Sequence, residues 1–473
     1  MWDLRQFSDH EALVSEYGLR LTYDQLAEET EKLAAQMEKR TLVFSFCRNE
    51  IGSALGYIAF LNGGIVPVML SAGLEKELRD NLLRTYRPPY LWVPESMEAE
   101  FGDDEVHTEK VYEAFGYVLL QTDASDPYPL YEHLGLLLTT SGSTGSPKFV
   151  RQSYANILAN AQSIVKYLEL NEAERPITTL PMNYTYGLSI INSHLLVGAT
   201  ILITDKSLMQ KEFWDFLKTE KATSFGGVPY TYEILDKIRF MRMNLPDFTT
   251  MTQAGGKLLP ELHEKFARWA SENGKKLVVM YGQCEATARM GYLPPERAVE
   301  KKGSMGIAIP GGKFTLIDVD GGEIAKPHVT GELVYEGPNV TLGYAECGED
   351  LAKGDERGGR LVTGDMAQFD EDGYYYIVGR KKRFLKIYGN RVNLDEMDRM
   401  IKAQFGIEAA CAGTDDHMVI FLTDASLQDT VKGYAVEKTK LNPAAFETMV
   451  INEIPKNDAG KTLYRELEKY YTT

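Results

Sequence analysis

The residues best suited to chemistry lie in one run, LTTSGSTGSPKFVR at 138–151, which holds three Ser, three Thr, two Gly, a Pro and a Lys. Glycine lets a backbone approach a ligand closely, hydroxyls and amides donate hydrogen bonds, and a Lys adds a point charge. Together these suit a polyphosphate. The Walker loop is a different pattern. Only two residues separate Gly142 from Gly145, and Lys148 stands three after Gly145. The one Gly-Lys-Thr, Gly460-Lys461-Thr462, has Pro455 where the first Gly of such a loop belongs. A flexible Ser/Thr/Gly linker is the competing reading. Against it stand an apolar strand pattern at 134–138 and a helical pattern from Ser153, with Ile157, Ala161, Ile164, Val165 and Leu168 on one face. The expected order is strand, loop, helix.

Three later segments carry matching chemistry. Tyr281-Gly282-Gln283-Cys284-Glu285 follows a strand pattern at 277–280 and sets an aromatic ring four residues before a carboxylate. LVTGDMAQFDEDGYYYIVGR at 361–380 contains Asp365 and Arg380. IPKNDAGKTLYREL at 454–467 contains Lys461. Singly, these residues read as core, solvated surface or turn.

In combination they resemble the adenylate-forming superfamily of acyl-CoA synthetases, peptide-synthetase adenylation domains and luciferases. TTSGSTGSPKFV is similar to that family's phosphate loop, and the other motifs follow in its order, from about Tyr23 to Arg465. The resemblance implies that Thr140, Ser141, Gly142, Ser143, Thr144 and Gly145 bind the nucleotide and that Lys148 is catalytic. Glu285, with Thr144, would hold Mg²⁺. Tyr281 would stack on adenine beside Gly282, Gln283 and Cys284, the last standing where the family usually has Thr and so weakening one hydroxyl contact to phosphate. Gly255, Gly256 and Lys257 would lie beside the adenine, Asp365 would take the ribose hydroxyls, and Arg380 the ribose–phosphate region. Lys461 matches the catalytic lysine, whose charge offsets that on the reacting oxygens. Lys382 matches the hinge, and Lys386 and Gly389 the face used in the thioester step. In GRKKRFLKIYGNRV, 379–392, six Lys or Arg residues concentrate. A nucleic-acid patch is the alternative there, and the negative net charge favours the hinge.

The implied acyl pocket is walled by Asn183, Tyr184, Thr185 and Gly227. Amino-acid-activating relatives carry an Asp that binds the substrate amine, and here that position falls on Thr185, or on Tyr184 with a one-residue slip. A buried ammonium without a carboxylate is costly, so an acid lacking an α-amino group is expected.

These residues need a scaffold, and the sequence outlines one. At 473 residues, two or three domains are expected. The net charge of −17 argues against nucleic-acid or anionic-membrane partners. Four scattered cysteines without a C-x-x-C pair suggest a reducing, cytoplasmic setting, and no signal peptide is visible. Residues 51–70 carry no charge over twenty positions, yet Gly63-Gly64 divides them into a core helix and a strand, so no integral membrane segment is expected. Strand and helix patterns alternate through the first 130 residues: a helix at 23–40, a strand at 41–46, and an acidic loop at 102–109. A helix at 190–197 and a strand at 200–204 follow. From Gly303, short strands at 314–319, 331–335 and 374–378 suggest a β-rich subdomain. The fold class is α/β: a large multi-subdomain N-terminal domain with mixed sheets, 1–380, and a small mobile α+β lid, 381–473. His10, His107, His133, His194, His263, His328 and His417 are scattered and read as structural.

The expected reaction turns a small-molecule carboxylic acid and ATP into acyl-AMP and pyrophosphate, after which coenzyme A displaces AMP. The phosphopantetheine of a separate carrier protein is the alternative acceptor. A non-catalytic nucleotide-binding protein of the same fold is the rival class.

Overall fold

Short β-rich runs pair into two large mixed sheets, and Gly227, Gly255 and Tyr281 stand where strands of one of them end. The computed structural model describes residues 1–101, 107–124, 127–139, 148–456, 460 and 462–471. Thr140, Ser141, Gly142, Ser143, Thr144, Gly145 and Lys461 lie outside the described residues.

In the first sheet the strand order is Gly343–Ala345, Phe149–Ser153, Leu134–Thr139, Val66–Ser71, Leu42–Cys47, Tyr90–Pro94, Tyr117–Thr122 and Thr108–Ala114. The Leu42, Val66, Tyr90 and Leu134 strands run parallel, and hairpins close both flanks. The uncharged stretch divides as expected. Helix Ile51–Gly63 is buried around almost its whole circumference, Gly64 ends it in a left-handed conformation (φ 77°), and the Val66–Ser71 strand follows. Gly56 is obligatory there, since a Cβ would lie 2.3 Å from Trp92 Nε1. Among the described residues no helix is long and apolar enough to cross a membrane.

The second sheet has a parallel centre in which Ser224–Gly227, Thr250–Gln253 and Lys276–Tyr281 are neighbours. Its register pairs Gly227 with Gln253 and Gln253 with Val279, so Gly255 and Tyr281 follow at one edge. That edge is the carboxyl end of the strands, where open α/β sheets bind ligands. A four-stranded antiparallel sheet, Lys313–Ile317, Gly331–Glu336, Arg360–Phe369 and Tyr375–Arg380, is the expected β-rich part. Beyond it, Leu385, Ile387, Met397, Ile401, Cys411, Ile420 and Phe446 share a separate core, built from a two-stranded and a three-stranded sheet with helices Leu394–Phe405 and Gln428–Thr439. The architecture is a large mixed α/β part and a small α+β part.

Local expectations changed in four places. The hydroxyl-rich run joins two strands rather than a strand and a helix, because Phe149–Ser153 pairs antiparallel with Leu134–Thr139 (Thr139 opposite Phe149). Phe149 packs on Tyr86 and Phe44, burial that a five-residue run does not advertise. The helix Tyr154–Leu168 then starts on a reciprocal Ser153–Asn156 capping box. The helix placed at 190–197 begins earlier, as Thr185–Leu195, because Gly187 packs on Pro181 O, which a Cβ would approach to 2.4 Å. The helix placed at 23–40 ends at Ala34; Arg40 (φ 59°) turns the chain and donates to the Leu134 and Tyr131 carbonyls. The loop placed at 102–109 overlaps the start of the Thr108–Ala114 strand.

Candidate active site

The Gly343–Ala345 strand pairs with Phe149–Ser153 and brings Tyr344 between Lys148 and Glu285. Tyr344 Oη donates to Glu285 Oε1 at 2.8 Å. Its ring carries Lys148 Nζ 5.3 Å from the centroid and the Arg357 guanidinium carbon 4.7 Å away. Burial, then the neighbouring Glu285, pushes the Tyr344 hydroxyl up to about 12, so it stays a donor at neutral pH. Arg357 Nη1 also donates to Glu285 O at 3.0 Å, fixing the backbone that presents the carboxylate. Lys148 Nζ meets Glu346 Oε1 at 2.5 Å in a partly exposed pair. The structure thus joins Lys148 and Glu285, 137 positions apart by number, through Tyr344 and Arg357. The sequence reading missed both linking residues.

Tyr281 and Asp365 form a second group. Tyr281 Oη donates to Asp365 Oδ2 at 2.5 Å, and Gln283 Nε2 donates to the same oxygen at 2.8 Å and to Thr363 O at 3.0 Å. Burial raises the Asp365 carboxyl above its ordinary range, while Tyr281, Arg380 and Gln283 oppose the shift. Arg380 stands opposite Asp365 in the strand pair. Gly282 admits no side chain, since a Cβ would sit 1.5 Å from Ala288 O. Gly255 (φ 83°) is constrained twice: the conformation favours glycine, and a Cβ would come within 2.7 Å of Tyr184 Oη. Gly256 abuts Pro229. Exposed Lys257 donates from Nζ to Ile377 O at 2.9 Å. Cys284 is half-buried and packs on the core around the Ile51 helix.

The expected acyl-pocket walls meet at the Gly255 contact. Tyr184 lies against Gly255, and Gly227 is closed in by Thr231 and Tyr232. Asn183 and Thr185 are half-buried, Thr185 opening the helix. Behind Tyr184 the Tyr186 ring stands edge-on, 6.3 Å between centroids, with its Oη 2.7 Å from Thr252 Oγ1. Leu180, Ile190, Val228, Ala254, Val278 and Met280 complete an apolar shell.

The family profile described as AMP-binding enzyme matches residues 2–345. The chain belongs to the AMP-binding enzyme family. Among curated relatives it is similar to a long-chain-fatty-acid–CoA ligase of Bacillus subtilis (strain 168), 29% identical over 353 residues, covering 71% of this chain and 62% of that protein. A 2-succinylbenzoate–CoA ligase of Geobacillus kaustophilus (strain HTA426) is 27% identical over 349 residues, covering 72% and 69%. The match therefore spans less than two thirds of the first relative's length. Among solved structures, o-succinylbenzoate CoA synthetase (MenE) from Bacillus subtilis, in complex with the acyl-adenylate intermediate OSB-AMP, superposes with a TM-score of 0.81. The identity is 21%, covering 98% of this chain and 97% of that one. ATP-bound MatB from Rhodopseudomonas palustris gives 0.75 at 21% identity, covering 98% and 96%. At these identities the likeness establishes the shared fold.

In this family member, the segment after the four-stranded sheet is narrow. Lys381 Nζ pairs with Glu332 of that sheet at 2.7 Å. Arg383 is buried in the small part, donating to Asp395 and Asp398 at 2.8 Å and to Cys411 O at 2.6 Å, with its guanidinium 3.6 Å from the Tyr464 ring centroid. Exposed Lys382 lies between these two anchors. Lys386 and Gly389 are exposed on the hairpin Phe384–Ile387/Asn390–Asn393, whose backbone is held by Asp415 and Asp416. Gly460, the neighbour of Lys461 in the chain, faces Tyr230, whose Cβ is 3.8 Å from where a Gly460 Cβ would stand. Lys402 Nζ reaches Glu233 at 2.8 Å, another contact between the two parts.

Proposed function

We propose that this AMP-binding enzyme activates a carboxylic acid with ATP to acyl-AMP and pyrophosphate, and then transfers the acyl group to coenzyme A with release of AMP. The observation that carries the reading is the Lys148–Tyr344–Glu285–Arg357 cluster, which includes the lysine of the hydroxyl-rich sequence run. It gathers cations around one oriented carboxylate in a chain whose overall charge repels phosphate.

In the first half-reaction a substrate carboxylate oxygen attacks the α-phosphorus, the Pα–O–Pβ bond breaks, and pyrophosphate leaves. Lys148 and Arg357 neutralise phosphate charge, Tyr281 provides the face for adenine, and the second oxygen of Asp365 accepts from the ribose. Lys461, next to Gly460 in the chain, offsets charge on the reacting oxygens; the Gly460–Tyr230 approach supports this. Magnesium takes one or two carboxylates and keeps several waters. Glu285 suits it, with Oε1 held by Tyr344. When bound, the ion neutralises phosphate oxygens. In the second half-reaction the thiolate attacks the acyl carbonyl and the C–O–P link breaks to release AMP. We assign 1–380 to the nucleotide and acyl sites and 381–473 to a lid turning at Lys382, a reading supported by the ion-paired anchors on either side of that residue. Lys386 and Gly389 would then turn toward the site for thioester formation. We infer a cytoplasmic enzyme.

Mass spectrometry of products from fatty, aryl and short-chain acids, with and without coenzyme A, tests the reading. A coenzyme A thioester formed only with ATP supports it; ATP binding with no product from any acid refutes it.

A further inference from the structure

Of the four arginines buried among the described residues, Arg79, Arg151 and Arg383 each meet a carboxylate: Glu100 at 2.5 Å, Glu356 at 2.5 Å, and Asp395 and Asp398 at 2.8 Å. Arg289, 2% exposed, meets none. Its Nε donates to Ser189 Oγ at 3.0 Å, its Nη1 reaches Tyr167 Oη at 3.1 Å and Met280 Sδ at 3.4 Å, and its guanidinium carbon lies 5.2 Å from the Tyr186 ring centroid. The side chain is held in place by neutral groups, and its backbone is clamped too, with Asn160 and Asn339 donating to Arg289 O at 2.8 and 3.0 Å. On the same helix as Ser189, His194 Nε2 is buried without a partner among the described residues, and so is Oδ1 of Asn160 on the Tyr154–Leu168 helix.

An uncompensated buried charge is expensive, and an aromatic face or hydroxyl recovers only part of the lost solvation. The position explains why such a group would be kept. Tyr184 lines the expected acyl pocket at Gly255, Tyr186 stands behind Tyr184, and Arg289 lies over Tyr186. The guanidinium therefore borders the apolar shell at Tyr186 and Met280.

We propose that Arg289 is an anion subsite for the acyl substrate, and that the acid activated here carries a second carboxylate. The inference rests on the acid-activating reading above. One guanidinium balances one carboxylate, whose two oxygens fit its forked donors, whereas a doubly charged phosphate would be left half-neutralised. The Ser189 and Tyr167 hydroxyls orient the fork. The same cation repels an ammonium group.

The test measures pyrophosphate release with α,ω-dicarboxylates from malonate to suberate, each against the monocarboxylate of equal carbon count. In the wild type, kcat/KM for the best dicarboxylate should exceed that of its partner at least about tenfold, mainly through KM. Arg289→Met keeps the volume and should abolish that preference while still turning over monocarboxylates. Should that variant fail to fold, Arg289→Lys retains charge without the fork and should lower the ratio. A wild-type enzyme indifferent to the second carboxylate, or a ratio unchanged by substitution, overturns the subsite alone. Pyrophosphate release from no acid at all overturns both the subsite and the acid-activating reading.

Discussion

Tyr344→Phe removes one hydroxyl and leaves the ring on which Lys148 and Arg357 lie. The hydroxyl's 2.8 Å bond to Glu285 Oε1 has a carboxylate acceptor and is partly buried. Hydrogen bonds to charged groups contribute about 1.5–3 kcal/mol. Each ~1.4 kcal/mol is about tenfold in rate, so kcat/KM for MgATP should fall roughly tenfold to a hundredfold. Stability should change little, because Arg357 still holds the Glu285 backbone through its bond to Glu285 O. Exchange of labelled pyrophosphate into ATP across a MgATP series, beside a thermal melt, separates the two effects. A variant within twofold of wild type in that series would remove Tyr344 from the orientation of Glu285.

Asp365→Asn should melt no lower than wild type at neutral pH while losing nucleotide affinity, since burial raises the carboxyl's pKa and so makes its ionised form costly in the fold. Calorimetry and ATP titration check the pair; a large drop in Tm would contradict it. His194 is pulled from 6.5 to about 4 by burial, so between those values the unfolded chain binds the extra proton and stability falls as pH falls. The loss at pH 4 from this group should be about 3 kcal/mol, read by urea unfolding at several pH values, and His194→Gln should flatten that slope. Amino acids should release pyrophosphate more slowly than their deamino analogues by at least about a hundredfold, because Thr185 supplies no carboxylate and Arg289 adds a cation. Equal rates would show that some other group neutralises the ammonium.

Local grammar made the strand ends, the Gly64 break and the glycines at 255 and 282 legible. Each rests on a few neighbouring residues. Tyr281 and Asp365 were legible as separate motifs, although their hydrogen bond joins residues 84 positions apart. What stayed hidden is long-range. Tyr344 and Arg357 reach Glu285 across 59 and 72 positions, and neither stands in a pattern that periodicity or spacing distinguishes. The Phe149–Ser153 strand was masked by its length, and the start of the Thr185 helix by Gly187, whose role is a close approach to Pro181 rather than a break. Arg289 reads as an ordinary arginine in ATARMG until the fold buries it among neutral partners.

The central claim is that an acid-dependent adenylation occurs in this chain. Pyrophosphate–ATP exchange without coenzyme A, run over a panel of carboxylic acids on wild type and Lys461→Ala, tests it most directly. Exchange should require both an acid and Mg²⁺, and should vanish in Lys461→Ala while ATP still binds, because that charge acts in the transition state. Exchange without any acid, or at an undiminished rate in Lys461→Ala, would contradict the account.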